Sequence, residues 1–412
     1  MTEPRPTRHY LFFTAPAHGH VRPTLPVAAE LVRRGHRVSY ATTDQFAAEV
    51  GATGAEAVRY DPGVPDFAGA APGDSPDWLP LALTAAIAES SALLPAIMDH
   101  FGDARPDVVA YDTTMNPAGR LLARLWRLPA LEFSPVFLPQ RAGGFSLAAM
   151  LRGSPQDDGP AERPAARRFR EDLTALMAAY GAQDLTPLDF VTGFRGPRMA
   201  FFPRDFQPGG DTFDDRYVFV GPCLDPSPPA AAWQPPADGR PVVLVSLGTS
   251  YGDRPEFFRT CVKAFADSPW HAVLTVGRAG VDPAELGPLP AHVEVHRWLP
   301  HLAVLPHARV FVCQAGMGSV MESLACGTPL VMAAQAQEQR MVARRAVTLG
   351  LGTELPEGEN LTAQALLDAV GSVADGPEVL TSVAGLRERI REAGGTVRAA
   401  DVLEDLGIRQ PQ

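Results

Sequence analysis

Lysine is nearly missing from this sequence: Lys263 is the only one among 36 Lys and Arg residues in a chain of 412. Acids outnumber bases, and the net charge is −11. That balance does not suit nucleic acid, whose phosphates call for clustered positive charge. Cysteine is scarce as well. Cys223, Cys261, Cys313 and Cys326 are the four present, and none forms a CxxC pair. They read as small buried hydrophobes of a cytosolic protein rather than as disulfides or metal ligands. No Asp-x-Asp pair and no histidine-rich cluster advertises a metal. No run of about 18 apolar residues marks a transmembrane helix. The N-terminal stretch "MTEPRPTRHYLFFTAPAHGH" passes from a short apolar segment straight into a strand pattern, unlike a signal peptide.

What is there is enough apolar surface for a large core, 46% hydrophobic residues, in a length that favours two domains. "HYLFFTA" (9–15) is a continuous apolar run, as a buried parallel strand should be. A helical period follows over 23–34, stopped by Gly35, and "RVSYAT" (37–42) is a second strand. "DVVAYD" (107–112) and "ALEFSPVF" (130–137) continue the series. Segments 60–80 and 139–165 lack a period and read as long loops, the second being the expected specificity loop. Residues 221–241 are dense in proline and small residues, as a semi-rigid linker is. Strand and helix patterns then restart, with strands at 242–248, 271–277, 293–299, 309–313 and 329–334 and two helices in the tail. The expected fold is therefore α/β, two doubly wound Rossmann-like domains facing a cleft. Its expected divisions are a first domain over 1–220, a linker over 221–241, a second domain over 242–390, and a final helical segment, 391–412, returning to the first domain.

Two places carry candidate chemistry. In "APAHGHVRP" (15–23), His18 and His20 follow the first strand, where a neutral imidazole can accept a proton from a hydroxyl. A histidine there can equally cap a helix start. Asp112 ends another strand of the same sheet and can fix the tautomer of an imidazole beside it, or simply cap the turn "DTT". In the second half, "QAGMGS" (314–319) joins a strand to a helix over 319–326. Gly316 and Gly318 allow close backbone approach, Ser319 adds a hydroxyl, and a helix start offers N–H groups to an anion. The same pattern also makes an ordinary tight turn. Glu322 can bind a ribose diol or act as a favourable first-turn charge. Trp298 can stack on a base or fill a core or hinge.

Taken in order and spacing, these segments resemble the inverting nucleotide-sugar glycosyltransferases of GT-B fold, and within them the bacterial macrolide branch. The most telling stretches are "AHGHVRPTLPVAAELVRRGHRVSYAT", "HVEVHRWLPHLAVLPHARVFVCQAGMGSVMESLACGTPLV", "FVGPCL" and "VVLVSLGTS". The resemblance implies that His20 is the general base and Asp112 its partner. It implies that Ser246, Gly248 and Thr249 approach the donor phosphates and that Trp298 stacks on the base. Gln314, Gly316, Gly318 and Ser319 then hold the diphosphate, Glu322 the ribose, and Glu338 with Gln339 the sugar hydroxyls. Three positions depart from the family pattern. Gln314 stands where histidine is usual, Glu338 where aspartate is usual, and His301 where "WxPQ" has glutamine. A neutral amide binds phosphate less strongly than a charged donor, so the donor site is expected to be altered.

The implied reaction is a single displacement from a UDP- or dTDP-sugar to a hydroxyl of a hydrophobic small molecule such as a macrolide, with no metal. Phe67, Trp78, Phe133, Phe137, Phe145 and Met150 are the candidate acceptor-lining residues, each also a plausible core residue. The implied setting is cytoplasmic, with no membrane span, no nucleic acid and a homodimer. Three rivals stay open here: a nucleotide-sugar epimerase or hydrolase, a catalytically weakened homologue that activates or scaffolds a partner transferase, and a nucleotide sensor that binds donor without turnover.

Overall fold

The computed structural model describes residues 6–67, 77–139, 164–224, 233–248, 254–277, 280–356 and 361–408. The chain divides into two units. One comprises Met1–Phe201, Gly209–Cys223 and Gly394–Gln412, the other Phe202–Pro208 and Leu224–Ala393.

The first unit is built on a sheet of seven strands: β1 His9–Phe13, β2 Arg37–Thr42, β3 Glu56–Arg59, β4 Val108–Asp112, β5 Ala130–Ser134, β6 Arg198–Ala200 and β7 Tyr217–Phe219. All pairings are parallel, in the order β3-β2-β1-β4-β5-β6-β7. A parallel sheet is covered on both faces, so both faces of a strand must be apolar. β1 shows this directly: Tyr10 and Phe12 enter one core cluster, Leu11 and Phe13 the opposite one.

The second unit has six parallel strands: β8 Val242–Ser246, β9 His271–Thr275, β10 Val293–His296, β11 Ala308–Cys313, β12 Leu330–Met332 and β13 Gly352–Glu354, in the order β10-β9-β8-β11-β12-β13. In each sheet the first strand is central and the winding reverses beside it, between β1 and β4 and between β8 and β11. Such switch points are where open α/β sheets bind ligands, outside the carboxyl ends of the strands.

The boundaries differ from the expected 220 and 391 for identifiable reasons. Residues 202–208 belong to the second unit, where Arg345 donates to the carbonyl oxygens of Asp205 (2.7 Å) and Phe206 (3.0 Å). Gly394 and Gly395, both at positive φ, separate the helix Pro377–Ala393 from the last helix, Gly395–Ile408. That last helix lies in the first unit, with Ala399, Ala400 and Leu403 in the same cluster as Tyr10 and Phe12. Arg34 Nη1 reaches Asp401 (2.7 Å) and Glu404 (2.9 Å), and Glu404 also pairs with His36 Nε2 (2.9 Å). In the linker segment, Trp233 is buried and its indole N–H donates to Glu294 on β10 (3.1 Å).

Among the described residues one helix, Trp78–Phe101, is long and apolar enough to cross a membrane by length and composition alone. Its Ile87, Leu93, Leu94, Ile97 and Phe101 are core residues of the first unit, and Glu89 within it is fully buried.

The end of β4 is held from beneath. Tyr111 is fully buried, and Gly119 of the helix Asn116–Trp126 lies against its ring so closely that a Cβ there would overlap it. Gly119→Ala is expected to destabilise the first unit by about 1–3 kcal/mol, the range for overpacked cores. Urea unfolding followed by circular dichroism checks this. An unchanged midpoint would show that the ring moves aside without strain.

Candidate active site

His18–Val21 forms a helical turn directly after β1, not the open loop expected there. The turn is tied to the sheet by a chain of hydroxyls. Thr24 Oγ1 donates to the carbonyl of Val21 (2.8 Å), so Tyr40 must donate to Thr24 (2.8 Å) and can accept from Thr14 (3.1 Å). Burial pushes the Tyr40 phenol up, keeping it a neutral donor.

Of the two histidines, His20 is the one that pairs with Asp112. His20 Nδ1 lies 2.7 Å from Asp112 Oδ2, and the carboxylate is fully buried. The other carboxylate oxygen, Oδ1, accepts from the Thr114 backbone N–H at 2.6 Å. A buried carboxylate facing Nδ1 places the proton there and leaves Nε2 as the basic nitrogen. His20 is partly exposed, as a group that meets substrate must be. His18 packs its ring edge-on to Phe46 at 4.9 Å. The pair thus straddles the β1/β4 switch point, although 92 residues separate the two in sequence.

A buried ion cluster next to Asp112 has no expectation in the sequence reading. Glu132 on β5 accepts from Thr113 Oγ1 (3.0 Å), Arg120 Nη2 (3.2 Å) and Arg198 Nε (3.2 Å). It ties the turn after β4 to β5, β6 and the following helix. Glu89 plays a comparable part beneath the loop that leads to Phe67, accepting from the Val64 N–H at 3.0 Å, and burial raises its carboxyl pKa.

The acceptor-side candidates divide. Phe133 is 0% exposed and packs against Phe12 and Phe201, so it is a core residue and not a lining one. Phe67 is partly buried against the core. Trp78, at the start of its helix, and Phe137 are half-buried. Phe145 and Met150, like most of segment 139–165, lie outside the described residues.

The second switch point holds the donor-side candidates. Ser246 ends β8 opposite Cys313 of β11, and the residues after both strands meet. Gly248, at φ +73, directs its N–H to Ser246 Oγ (3.2 Å). Gln314 is 8% exposed, and its amide nitrogen lies where a Cβ on Gly248 would be. Gln314 Oε1 is buried with no hydrogen-bond partner among the described residues. Ala315 takes a left-handed conformation, φ +61, that non-glycine residues seldom adopt. Thr249 lies outside the described residues.

The helix begins at Met317, two residues earlier than expected, with Gly316 as its N-cap and no side chain capping it. Gly318 and Ser319 therefore sit in its first turn, and Glu322 in its second. The reading of Glu322 as a first-turn charge is thereby corrected. Glu322 instead accepts from or pairs with His301 Nδ1 at 2.9 Å, and His301 Nε2 lies 3.1 Å from Ser246 Oγ. Trp298, after β10, is 39% exposed, which does not fit a core aromatic. Glu338 is exposed at the start of the helix Gln337–Thr348. Gln339 is buried, and its Oε1 accepts from the N–H groups of Gln335 (2.8 Å) and Ala336 (3.3 Å), so that oxygen caps the helix. Among the described residues, no group of three or more His, Cys, Asp or Glu side chains is placed to hold a metal ion.

The family described as "UDP-glucoronosyl and UDP-glucosyl transferase" matches residues 225–386. Along its whole length the chain is similar to the demethyllactenocin mycarosyltransferase of Streptomyces fradiae, 38% identical over 97% of this chain and 86% of that one. It is 37% identical to the oleandomycin glycosyltransferase of Streptomyces antibioticus, over 98% of this chain and 92% of that one. Among solved structures it is similar to CalG4, the calicheamicin glycosyltransferase, with 38% identity, a TM-score of 0.80, and 97% and 98% of the two chains covered.

Proposed function

We propose a defined reaction for this chain, which belongs to the UDP-glucoronosyl and UDP-glucosyl transferase family and has the GT-B fold. A sugar carried on UDP or dTDP moves, with inversion at its anomeric carbon, to a hydroxyl of a hydrophobic natural product such as a macrolide or another polyketide. That the chain is a glycosyltransferase follows from its family; the roles below are our reading. The names of its relatives, which refer to oleandomycin and calicheamicin, support an antibiotic-like acceptor.

The observation that carries the mechanism is the 2.7 Å pair between His20 and the buried Asp112. His20 Nε2 accepts the acceptor's hydroxyl proton as that oxygen attacks the anomeric carbon. The bond from that carbon to the diphosphate breaks, and its electron pair leaves with the nucleotide. Asp112 holds the Nδ1 proton and stabilises the imidazolium. The transition state is oxocarbenium-like. Charge growing on the diphosphate is met by N–H groups of 316–319, by Ser246 and Gly248 with Thr249, and by the Gln314 amide. Trp298 stacks on the base, Glu322 binds the ribose, and Glu338 with Gln339 reads the sugar. With Gln339 Oε1 committed to the backbone, its amide nitrogen is the group left to read a hydroxyl. In this reading no metal is required, so chelation leaves the rate unchanged. The reading also takes the chain as a cytoplasmic homodimer, on resemblance alone; cell fractionation and sedimentation test the two.

The test is to supply UDP- and dTDP-sugars with a panel of hydrophobic polyketides. The expected result is a product heavier by one sugar, with the anomeric configuration opposite to that of the donor. Donor consumed without acceptor points to a hydrolase or epimerase. Donor bound but never turned over, with any acceptor, points to a nucleotide sensor, and no donor bound points to the partner-protein reading.

A further inference from the structure

His301 is wedged between two groups of the donor side. Its Nδ1 faces Glu322 Oε2 at 2.9 Å and its Nε2 faces Ser246 Oγ at 3.1 Å. A carboxylate can only accept, so Nδ1 carries a proton. Ser246 Oγ already accepts from the Gly248 N–H. This leaves two arrangements. With a neutral ring, Nε2 is a lone pair and the single Ser246 hydroxyl hydrogen must point at it. With an imidazolium, Nε2–H donates to Ser246, and the hydroxyl hydrogen is released to point elsewhere.

We propose that binding of a nucleoside diphosphate takes up one proton from solvent onto His301 Nε2, and that Ser246 is the relay. The inference rests on the reading that Ser246 faces the diphosphate. In the neutral arrangement Ser246 offers an anion no donor, and the trio of Ser246, His301 and Glu322 carries the charge of Glu322. Protonation turns the Ser246 hydroxyl into a donor and brings the trio to zero charge. Each change favours an anion, so by linkage the anion favours the proton. The imidazole also supplies the ionisable nitrogen that the neutral Gln314 amide does not.

Among the described residues, the titratable and charged groups around the trio come from several elements. From the helix Met317–Cys326 come Glu322 and Cys326, whose thiol burial pushes up to about 11. Arg387, on the helix Pro377–Ala393, acts on Cys326. β11 presents the Phe311 ring, edge-on at 5.2 Å, and β8 presents Ser246. Before His301 in the chain, Arg297 pairs with Asp282 at 3.1 Å; after it, the His307 ring lies against Trp233.

Calorimetric titration of the full chain with UDP and with dTDP, in Hepes, Pipes and Tris at a series of pH values, reads the protons exchanged. At pH 7.5 the wild type is expected to take up a net fraction of a proton, up to about one per nucleotide, as binding linked to a single protonation does. His301→Gln should bind nucleotide with that uptake lost, and Ser246→Ala should reduce it. The difference between variants removes the nucleotide's own ionisation. No uptake by the wild type, equal uptake in His301→Gln, or undiminished uptake in Ser246→Ala overturns the proposal. If either variant fails to fold, the imidazole C–H resonances of the wild type, which has 10 histidines, decide. One of them should move toward its protonated position on adding UDP at pH 7.5, and none moving overturns the proposal. A wild type that binds neither nucleotide fails at the donor-site reading itself, and the relay falls with it.

Discussion

His20→Ala is expected to lower kcat by about 10²–10⁴-fold, the span of a positioned general base, while donor affinity changes little. The reasoning is local. His20 belongs to the first unit, at the end of β1, and the groups read as holding the nucleotide all belong to the second. Removing the imidazole takes away the acceptor for the hydroxyl proton but no donor contact. The signature is therefore a fall in kcat and kcat/KM together, with KM for the nucleotide sugar near its wild-type value. Adding Asp112→Asn to His20→Ala should cost little more, because Asp112 acts only through the ring. Steady-state kinetics on the single and double variants checks both statements. A kcat within tenfold of wild type would remove His20 from the mechanism.

Much of this site can be read before the structure, and the residues show why. Strands buried on both faces leave continuous apolar runs, so β1, β4, β8 and β11 announce themselves, and with them both switch points. The residues just after those strands are then the natural candidates. Choosing between His18 and His20 is another matter. It depends on which way a helical turn directs each ring, and the structure sends one to Phe46 and the other to Asp112. β3, β6, β7 and β13 are three or four residues long, too short to show a period, and each has residues that are not buried. Phe133 reads as a possible lining residue because an apolar side chain at a strand end does not reveal its face.

Glu322 and His301 fail differently. Shifting the start of a helix by two residues moves a side chain about 200° around the axis, so a small boundary error changes what a residue can touch. His301 stands out in the sequence only as a replacement for glutamine. Its bonds to Ser246 and Glu322 join three segments of chain, and no local pattern reports that. The buried Glu132 cluster is the same kind of feature: Arg120, Arg198 and Thr113 converge through tertiary packing alone.

Asp112→Asn should be the more damaging change at the carboxylate, with kcat down by roughly 10³–10⁴-fold, on the scale of the same replacement in serine-protease triads. The backbone decides this. Thr114 N–H points at Oδ1 from 2.6 Å, so an asparagine must keep its oxygen there and turn its NH₂ toward His20 Nδ1. The opposite orientation would set two donors against each other. An NH₂ facing Nδ1 makes that nitrogen the acceptor and moves the ring proton to Nε2. The nitrogen that should take the acceptor's proton is then already protonated. The side chain keeps its size and the buried site loses a charge, so stability should hold while the chemistry fails. Asp112→Ala removes the carboxylate without dictating a tautomer, and is expected to retain more activity than asparagine does. Kinetics of the two variants, with ¹⁵N spectra of the imidazole to read the tautomer, tests the order. An asparagine variant as active as the alanine one, or a ring still protonated at Nδ1, would mean that Asp112 works through charge alone and not by fixing the proton.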